Sequence, residues 1–275
     1  MIPNSLFYCK NKDTYPPFKN GLYKEEYFVK KYLENKPNTK RKYIPALWTN
    51  FQIEGWFQSQ KKNMQYSLDE WLKNNPSLHG YFTVVQHDDA CLLKLPENTI
   101  VYGSCSGSIP IPLIYQDINN TLENIPKKNF NDKDVLCSFV GNITSNNIQP
   151  NVRTLMFDVL SNKKDFKLIN SGGWTPNVDT NKQNIFINTT LNSKFALAPR
   201  GYGRSSFRFF EILKLGTIPI YVWNDKDWLP FKDEIDYGKL CINIHYSQLN
   251  NLENILLNVS ENDYNNMLKY YDTIS

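Results

Sequence analysis

Residues 194 to 231 read KFALAPRGYGRSSFRFFEILKLGTIPIYVWNDKDWLPF, and the fold class is decided within that stretch. An apolar run over 194–198 has strand character and stops at Pro199. The loop Arg200-Gly201-Tyr202-Gly203 follows, its two glycines permitting close backbone approach, and Ser205 or Ser206 then opens a helix as N-cap. That helix runs to 215, and a second apolar strand covers 218–222. Strand, glycine loop, helix and strand in this order form the unit of a parallel α/β layer. A helix start presents free N–H groups and a partial positive charge, so the loop is a natural seat for phosphate.

Arginine usage sharpens that reading. The chain has five arginines, and Arg200, Arg204 and Arg208 all fall in this segment, whereas the remaining basic charge is nearly all lysine. The planar guanidinium fork grips phosphate bidentately, which a lysine point charge cannot imitate. At helical spacing Arg204, Arg208, Glu211 and Leu215 share one stripe, with Glu211 placed to accept hydrogen bonds from ribose hydroxyls. Two blander readings stand beside this one: Arg208 and Glu211 as an ordinary surface pair, and the glycines as a simple turn. No Gly-x-x-x-x-Gly-Lys-Ser/Thr P-loop occurs in the sequence, and Gly-x-Gly alone does not specify a dinucleotide.

Outward from this segment the alternation continues. Strands are expected over 135–140 and 166–169 with a helix over 153–160 between them, and the strand over 166–169 is followed next by the one over 194–198. Further upstream, 81–86 and 99–102 read as strands, and Ser67 with Glu70 three residues on reads as the capped start of a helix. The polar stretch 116–134 lacks apolar periodicity and reads as a linker, which divides the chain into domains at 1–125 and 126–275. The expected class is α/β with doubly wound parallel sheets. Such sheets bind ligands outside the carboxyl ends of their strands, so the loops beginning at His87, Gly141 and Pro199 are where chemistry is sought.

Composition bounds the alternatives. With 275 residues, 41% hydrophobic and 14% aromatic, the chain can bury a real core, and disorder is excluded as its main state. A net charge of +4 without blocks of like charge suits a small anionic ligand and argues against nucleic acid. The five cysteines lack the paired spacing of a zinc site and read as buried thiols in a reducing compartment. No apolar run has the length of a signal core or a membrane span, which points to a soluble, cytoplasmic protein and leaves only peripheral membrane contact open. The Asn-x-Ser/Thr sequons at Asn142 and Asn188 are expected by chance in so asparagine-rich a chain.

The segment 194–231 closely resembles the signature of exostosin-like glycosyltransferases, family 47. The resemblance extends over KFALAPRGYGRSSFRFFEILKLGTIPIYV and on through WLPF (228–231) and EIDY (234–237); SFVGN (138–142) with Arg153 downstream, and YFTVVQHDD (81–89), look like more distant upstream elements. It implies a GT-B architecture: two Rossmann-like lobes with an interlobe cleft, here in a compact version. The C-terminal lobe would hold a nucleotide-sugar donor, usually a UDP-sugar, and the N-terminal lobe a glycan acceptor. Carried onto matching positions, Arg200 and Arg208 would neutralise the diphosphate, and Ser205 and Ser206 would bind its oxygens. Gly201, Gly203 and Arg204 belong to the same seat, Glu211 would hold the ribose, and Gly141 and Asn142, with Arg153, would lie beside the phosphates.

Family relatives mostly invert configuration, which requires a general base on the acceptor hydroxyl. Asp88, flanked by His87 and Asp89 after the strand YFTVVQ, is the first choice, against a bland reading in which the carboxylates cap a turn and His87 packs. No metal or other cofactor is then required, since fixed cations serve the leaving diphosphate. Asp225-Lys226-Asp227 spells a metal-binding triplet of another transferase fold but is expected to be a solvated loop. GSCSG (103–107) resembles a nucleophile elbow with Cys105, served by His87 or His245, yet the prolines at 110 and 112 oppose the helix an elbow needs. The non-enzymatic alternative is a glycan-binding or degenerate transferase module in which Trp56, Trp71, Trp174, Trp223 and Trp228 stack on sugars instead of packing a core.

Overall fold

The computed structural model describes residues 1–10, 22–114, 122–144, 149–173 and 179–274. The chain forms two compact units, Met1–Ile114 together with Trp228–Pro230, and Tyr115–Asp227 together with Phe231–Ser275.

In the first unit, α1 (Lys24–Asn35) begins where Glu26 reaches back to accept from the Tyr23 N–H at 3.2 Å. Then come β1 (Lys42–Tyr43), α2 (Trp48–Gln52), α3 (Phe57–Asn74), β2 (Tyr81–Val85), β3 (Thr99–Gly103) and β4 (Ile109–Pro110). The sheet order is β1-β2-β3-β4, with every pairing parallel. Every residue of β2 is buried, as a central strand of a parallel sheet requires. Trp48 Nε1 donates to Thr83 Oγ1 at 2.7 Å, and Thr83 donates on to the Ile44 carbonyl at 2.9 Å, so the polar atoms of this buried pair are satisfied. One expectation is corrected here. The third helix starts ten residues before Ser67, because Phe57, Met64, Leu68 and Trp71 recur at helical spacing and bury one continuous face. Ser67 is mid-helix, and its hydroxyl donates back to the Asn63 carbonyl at 3.0 Å instead of capping.

The second unit runs β5 (Val135–Gly141), α4 (Val152–Leu160), β6 (Phe166–Asn170), α5 (Thr180–Leu191), β7 (Ser193–Pro199), α6 (Phe207–Lys214), β8 (Ile218–Trp223), β9 (Ile242–His245), α7 (Leu252–Leu257) and α8 (Glu261–Ile274). Its strands lie in the order β6-β5-β7-β8-β9, all parallel, with Cys137 opposite Phe195 and Pro199 opposite Val222. Numbered within the unit this is 2-1-3-4-5, a doubly wound order whose direction reverses between β5 and β7. The expectation that strand 166–169 is followed next by strand 194–198 is corrected by α5, the crossover that two parallel strands need. Asp179 caps it, accepting from the Lys182 N–H at 2.8 Å. Its apolar residues Ile185, Phe186 and Ile187 sit side by side, so no helical stripe announces it. Cys137, Phe195, Leu197, Ile220 and Val222 are among the sheet residues in the core, packed by Met156, Leu160 and Tyr264.

The protein is thus an α/β molecule with two parallel sheets, of four and five strands, consistent with two Rossmann-like lobes. Of the stretch 116–134, residues 116–121 lie outside the described ones; within the rest, Leu122 packs with Leu191 and Leu215, and Lys133 is buried, donating to the Leu191 carbonyl and to Thr217 Oγ1. Among the described residues no helix is long and apolar enough to cross a membrane.

Candidate active site

A doubly wound sheet opens a crevice where its strand order reverses, here between the carboxyl ends of β5 and β7. Gly141 closes β5 and Arg200 follows β7, so two loops singled out in the sequence meet at this point. Arg153, in the first turn of α4, ties them: its Nε donates to the Arg200 carbonyl at 3.2 Å and its Nη1 to the Asn142 carbonyl at 3.0 Å. The Asn142 side chain is engaged locally, accepting from the Thr144 N–H and hydroxyl. Both glycines let these arginines approach the backbone closely, and a side chain at either would displace a guanidinium. A Cβ on Gly201 would lie 2.9 Å from Arg153 Nη2, and one on Gly141 would lie 2.9 Å from Arg208 Nη1.

Arg208 lies against Gly141 at the end of β5. Ser206 caps α6 and accepts from the Arg208 N–H at 3.3 Å, so the helix starts three residues beyond Arg204 and ends before Leu215, and the expected stripe keeps only Arg208 and Glu211. The Arg208 guanidinium faces the rings of Phe139, 5.4 Å away, and Phe186, 4.9 Å away. Its Nη1 is sealed from solvent and has no hydrogen-bond partner. Burial lowers the guanidinium's pKa, and the Glu211 charge one turn on works against that shift without reversing it. Arg153 is pushed down to about 10, first by burial and then by the charge of Arg208. Glu211 is pushed above the usual carboxylate range because burial outweighs the pull of Arg208. Two half-buried cations that repel one another, one holding a sealed and unspent donor, make an arrangement that an anion would complete.

Arg200 and Arg204 are placed differently. Arg200, 6% exposed, donates from Nη1 to Asn224 Oδ1 at 2.7 Å and to Asp225 Oδ1 at 2.6 Å, from Nη2 to the Tyr202 carbonyl at 2.8 Å, and from Nε to the Gly201 carbonyl. Arg204 takes the other Asp225 oxygen through Nε at 3.0 Å and Nη2 at 2.5 Å, while the Tyr221 hydroxyl donates to its carbonyl. Asp225 and Lys226 lie exposed in the loop after β8, as expected of a solvated loop, and Asp225 is in addition the shared counter-charge of two arginines. Burial pushes its carboxyl up, but the Arg204 hydrogen bond and the two guanidinium charges prevail and hold it at about 2. Asp227, the other acid of the triplet, pairs with Lys232 at 2.7 Å and accepts from Asn243. Sequence reasoning also missed Asn224, and named His245 only as a base for Cys105; its Nε2 donates to the Asn224 carbonyl at 2.8 Å. Both stand at the carboxyl ends of strands, β8 and β9, the signal that would have found them. Gly203 is buried in the loop, and Ser205 is half-buried before the cap.

In the first unit His87, Asp88 and Asp89 form a tight turn after β2, closed by Ala90 N–H to the His87 carbonyl at 3.0 Å. Burial lowers the His87 pKa, with the two neighbouring aspartates acting in opposition. Its Nδ1 accepts from the Asp89 N–H at 3.1 Å, so the neutral ring carries its proton on Nε2 and presents a donor there. Asp88 and Asp89 are exposed. Cys105 is 3% exposed, and GSCSG leads into β4, not a helix, so the elbow geometry is not formed. Trp71 and Trp228 are buried, Trp228 Nε1 donating to the Gly103 carbonyl at 3.1 Å; Trp56 and Trp223 are half-buried, and Trp174 lies outside the described residues.

Residues 96–259, more than half of the chain, match the exostosin GT47 domain. The chain belongs to the exostosin GT47 family. Within this family it is 35% identical over 69 residues to the exostosin-1 homolog of Caenorhabditis elegans, an overlap of 25% of the chain and 18% of that protein. It is 46% identical over 52 residues to exostosin-1 of Drosophila melanogaster, an overlap of 18% of the chain and 7% of that protein. The matches thus span less than a fifth of the length of either relative. The GT47 match itself begins before β3 and runs through α7, taking in the whole arginine-lined crevice.

Proposed function

We propose that this exostosin GT47 domain is a GT-B-type, inverting glycosyltransferase that moves a sugar from a UDP-sugar to a glycan acceptor. The buried, partnerless Nη1 of Arg208 at the strand-order reversal carries this reading, because a diphosphate oxygen is the acceptor that completes it. Arg208 and the start of α6 would face the diphosphate, with Arg153 Nη2 behind Gly201 adding charge. Arg200 and Arg204, already neutralised in part by Asp225, would shape the loop and contribute less. Glu211 would accept from the ribose hydroxyls.

In the transfer, the acceptor oxygen bonds to the anomeric carbon as the bond from that carbon to the diphosphate oxygen breaks, its electron pair leaving with UDP. Cations fixed against the departing charge stabilise the transition state more than the ground state, and they serve this role without a metal. The acceptor proton goes to a carboxylate. Because His87 presents a donor at Nε2, Asp88 is favoured as base over the imidazole.

Calorimetric titration with UDP in EDTA, on wild type and Arg208→Ala, tests the seat. Loss of a charge-assisted phosphate contact costs about 1.5–3 kcal/mol, a drop of roughly 10- to 150-fold in affinity. Equal UDP affinity in both proteins, or no binding by wild type, rejects it.

A further inference from the structure

The turn that carries Asp88 is gripped at both ends by side chains from α1 and α2. Glu25, in the first turn of α1, is fully buried, and its Oε1 accepts from the Gln86 N–H at 3.0 Å, the Thr49 N–H at 3.0 Å and the Thr49 hydroxyl at 2.5 Å. Gln86 replies in kind, its Oε1 accepting from the Lys24 N–H at 2.9 Å. Beyond the turn, Gln52 donates from Nε2 to the Ala90 carbonyl at 2.8 Å and accepts at Oε1 from the Leu92 N–H at 2.7 Å.

Placing an acid here is costly. Burial raises the Glu25 pKa in spite of these hydrogen bonds, and its Oε2 is buried with no partner. What it obtains is control of Gln86, the residue immediately before His87, while Gln52 controls Ala90, the residue immediately after Asp89. We propose that Glu25 and Gln52 are positioning residues for the acceptor-side base, fixing residues 86–92 so that the Asp88 carboxylate is held in one place. The inference rests on the assignment of Asp88 as that base. Glu25 itself, sealed from solvent, does not meet an acceptor hydroxyl. Misplacement of a reacting group by about 1 Å can cost on the order of 100-fold in rate, which is the size of effect such a clamp controls.

The test uses the full chain and the variants Glu25→Ala, Glu25→Gln, Gln52→Leu and Asp88→Asn. Turnover is followed with a panel of UDP-sugars, affinity with UDP by calorimetry, and local order by hydrogen exchange resolved to residues 86–92. Glu25→Ala is expected to lower kcat roughly 10- to 100-fold and to speed exchange over 86–92, with UDP affinity unchanged. Glu25→Gln, which keeps an oxygen in the place of Oε1, is expected to restore most of both. A role confined to general stability predicts no such split between kcat and UDP affinity. Wild-type kcat in Glu25→Ala, or unchanged exchange over 86–92, overturns the proposal; should Glu25→Ala not fold, Gln52→Leu is held to the same two readouts. Asp88→Asn separates the claims. If it keeps wild-type kcat, or if wild type turns over no UDP-sugar, the base assignment falls and this inference with it. If Asp88→Asn is inactive while Glu25→Ala is not, only the positioning role falls.

Discussion

A Cβ placed on Gly141 would stand 2.9 Å from Nη1 of Arg208 and equally close to the ring of Phe139, so the last residue of β5 leaves room for the Arg208 guanidinium to lie against the strand end. The glycine here serves close approach, because no positive backbone angle requires it. Gly141→Ala is expected to push Arg208 off its place, weakening UDP binding as Arg208→Ala does, and to cost about 1–3 kcal/mol through overpacking. Calorimetry with UDP and thermal melting check both effects; unchanged UDP affinity would show that Arg208 does not face the nucleotide.

The sharing of Asp225 between Arg200 and Arg204 makes a pH-dependent prediction. Its carboxyl sits at about 2, below the ordinary value of roughly 3.9 for an unfolded chain. A depressed carboxyl pKa contributes stability that is fully present above pH 4 and is lost as pH falls through 2. The side chain is 42% exposed, so screening keeps the effect modest. Wild type is expected to melt above Asp225→Asn at pH 6, with the gap closing between pH 4 and 2. A gap that does not change with pH would count against the ion pairs.

Ser206 tests the start of α6. Ser206→Ala is expected to cost about 1 kcal/mol by removing the cap, and Ser206→Gly only a few tenths. Comparing their melting temperatures with their UDP affinities separates the cap from any contact of the hydroxyl with phosphate: a cap alone leaves affinity untouched.

In the first unit, Thr83→Val keeps shape but strands the Trp48 indole N–H and the Ile44 carbonyl inside the core. Each orphaned group costs about 1–3 kcal/mol, so a loss of roughly 2–6 kcal/mol in denaturant unfolding is expected. A loss below about 1 kcal/mol would mean that water reaches the indole.

The sequence by itself determined the α/β class and the loop between β7 and α6, because strand, glycine loop and capped helix are written in local chemistry between Lys194 and Val222. Local chemistry also marked Gly141, through the strand that it closes, whereas Arg153 was marked only by the family resemblance. It did not distinguish the arginines. Which of Arg200, Arg204 and Arg208 keeps an unspent donor depends on Asp225, 17 residues beyond Arg208 in the chain and brought in by the return of β8 beside β7. The helix α5, with no stripe to announce it, was legible only through the demand that parallel strands be joined by a crossover. Glu25 and Gln52 were equally hidden, since nothing in their own neighbourhoods says that they grip a turn some 40 to 60 residues later. Side-chain hydrogen bonds between distant elements are decided by strand order and register, and those exist only once the sheets have formed.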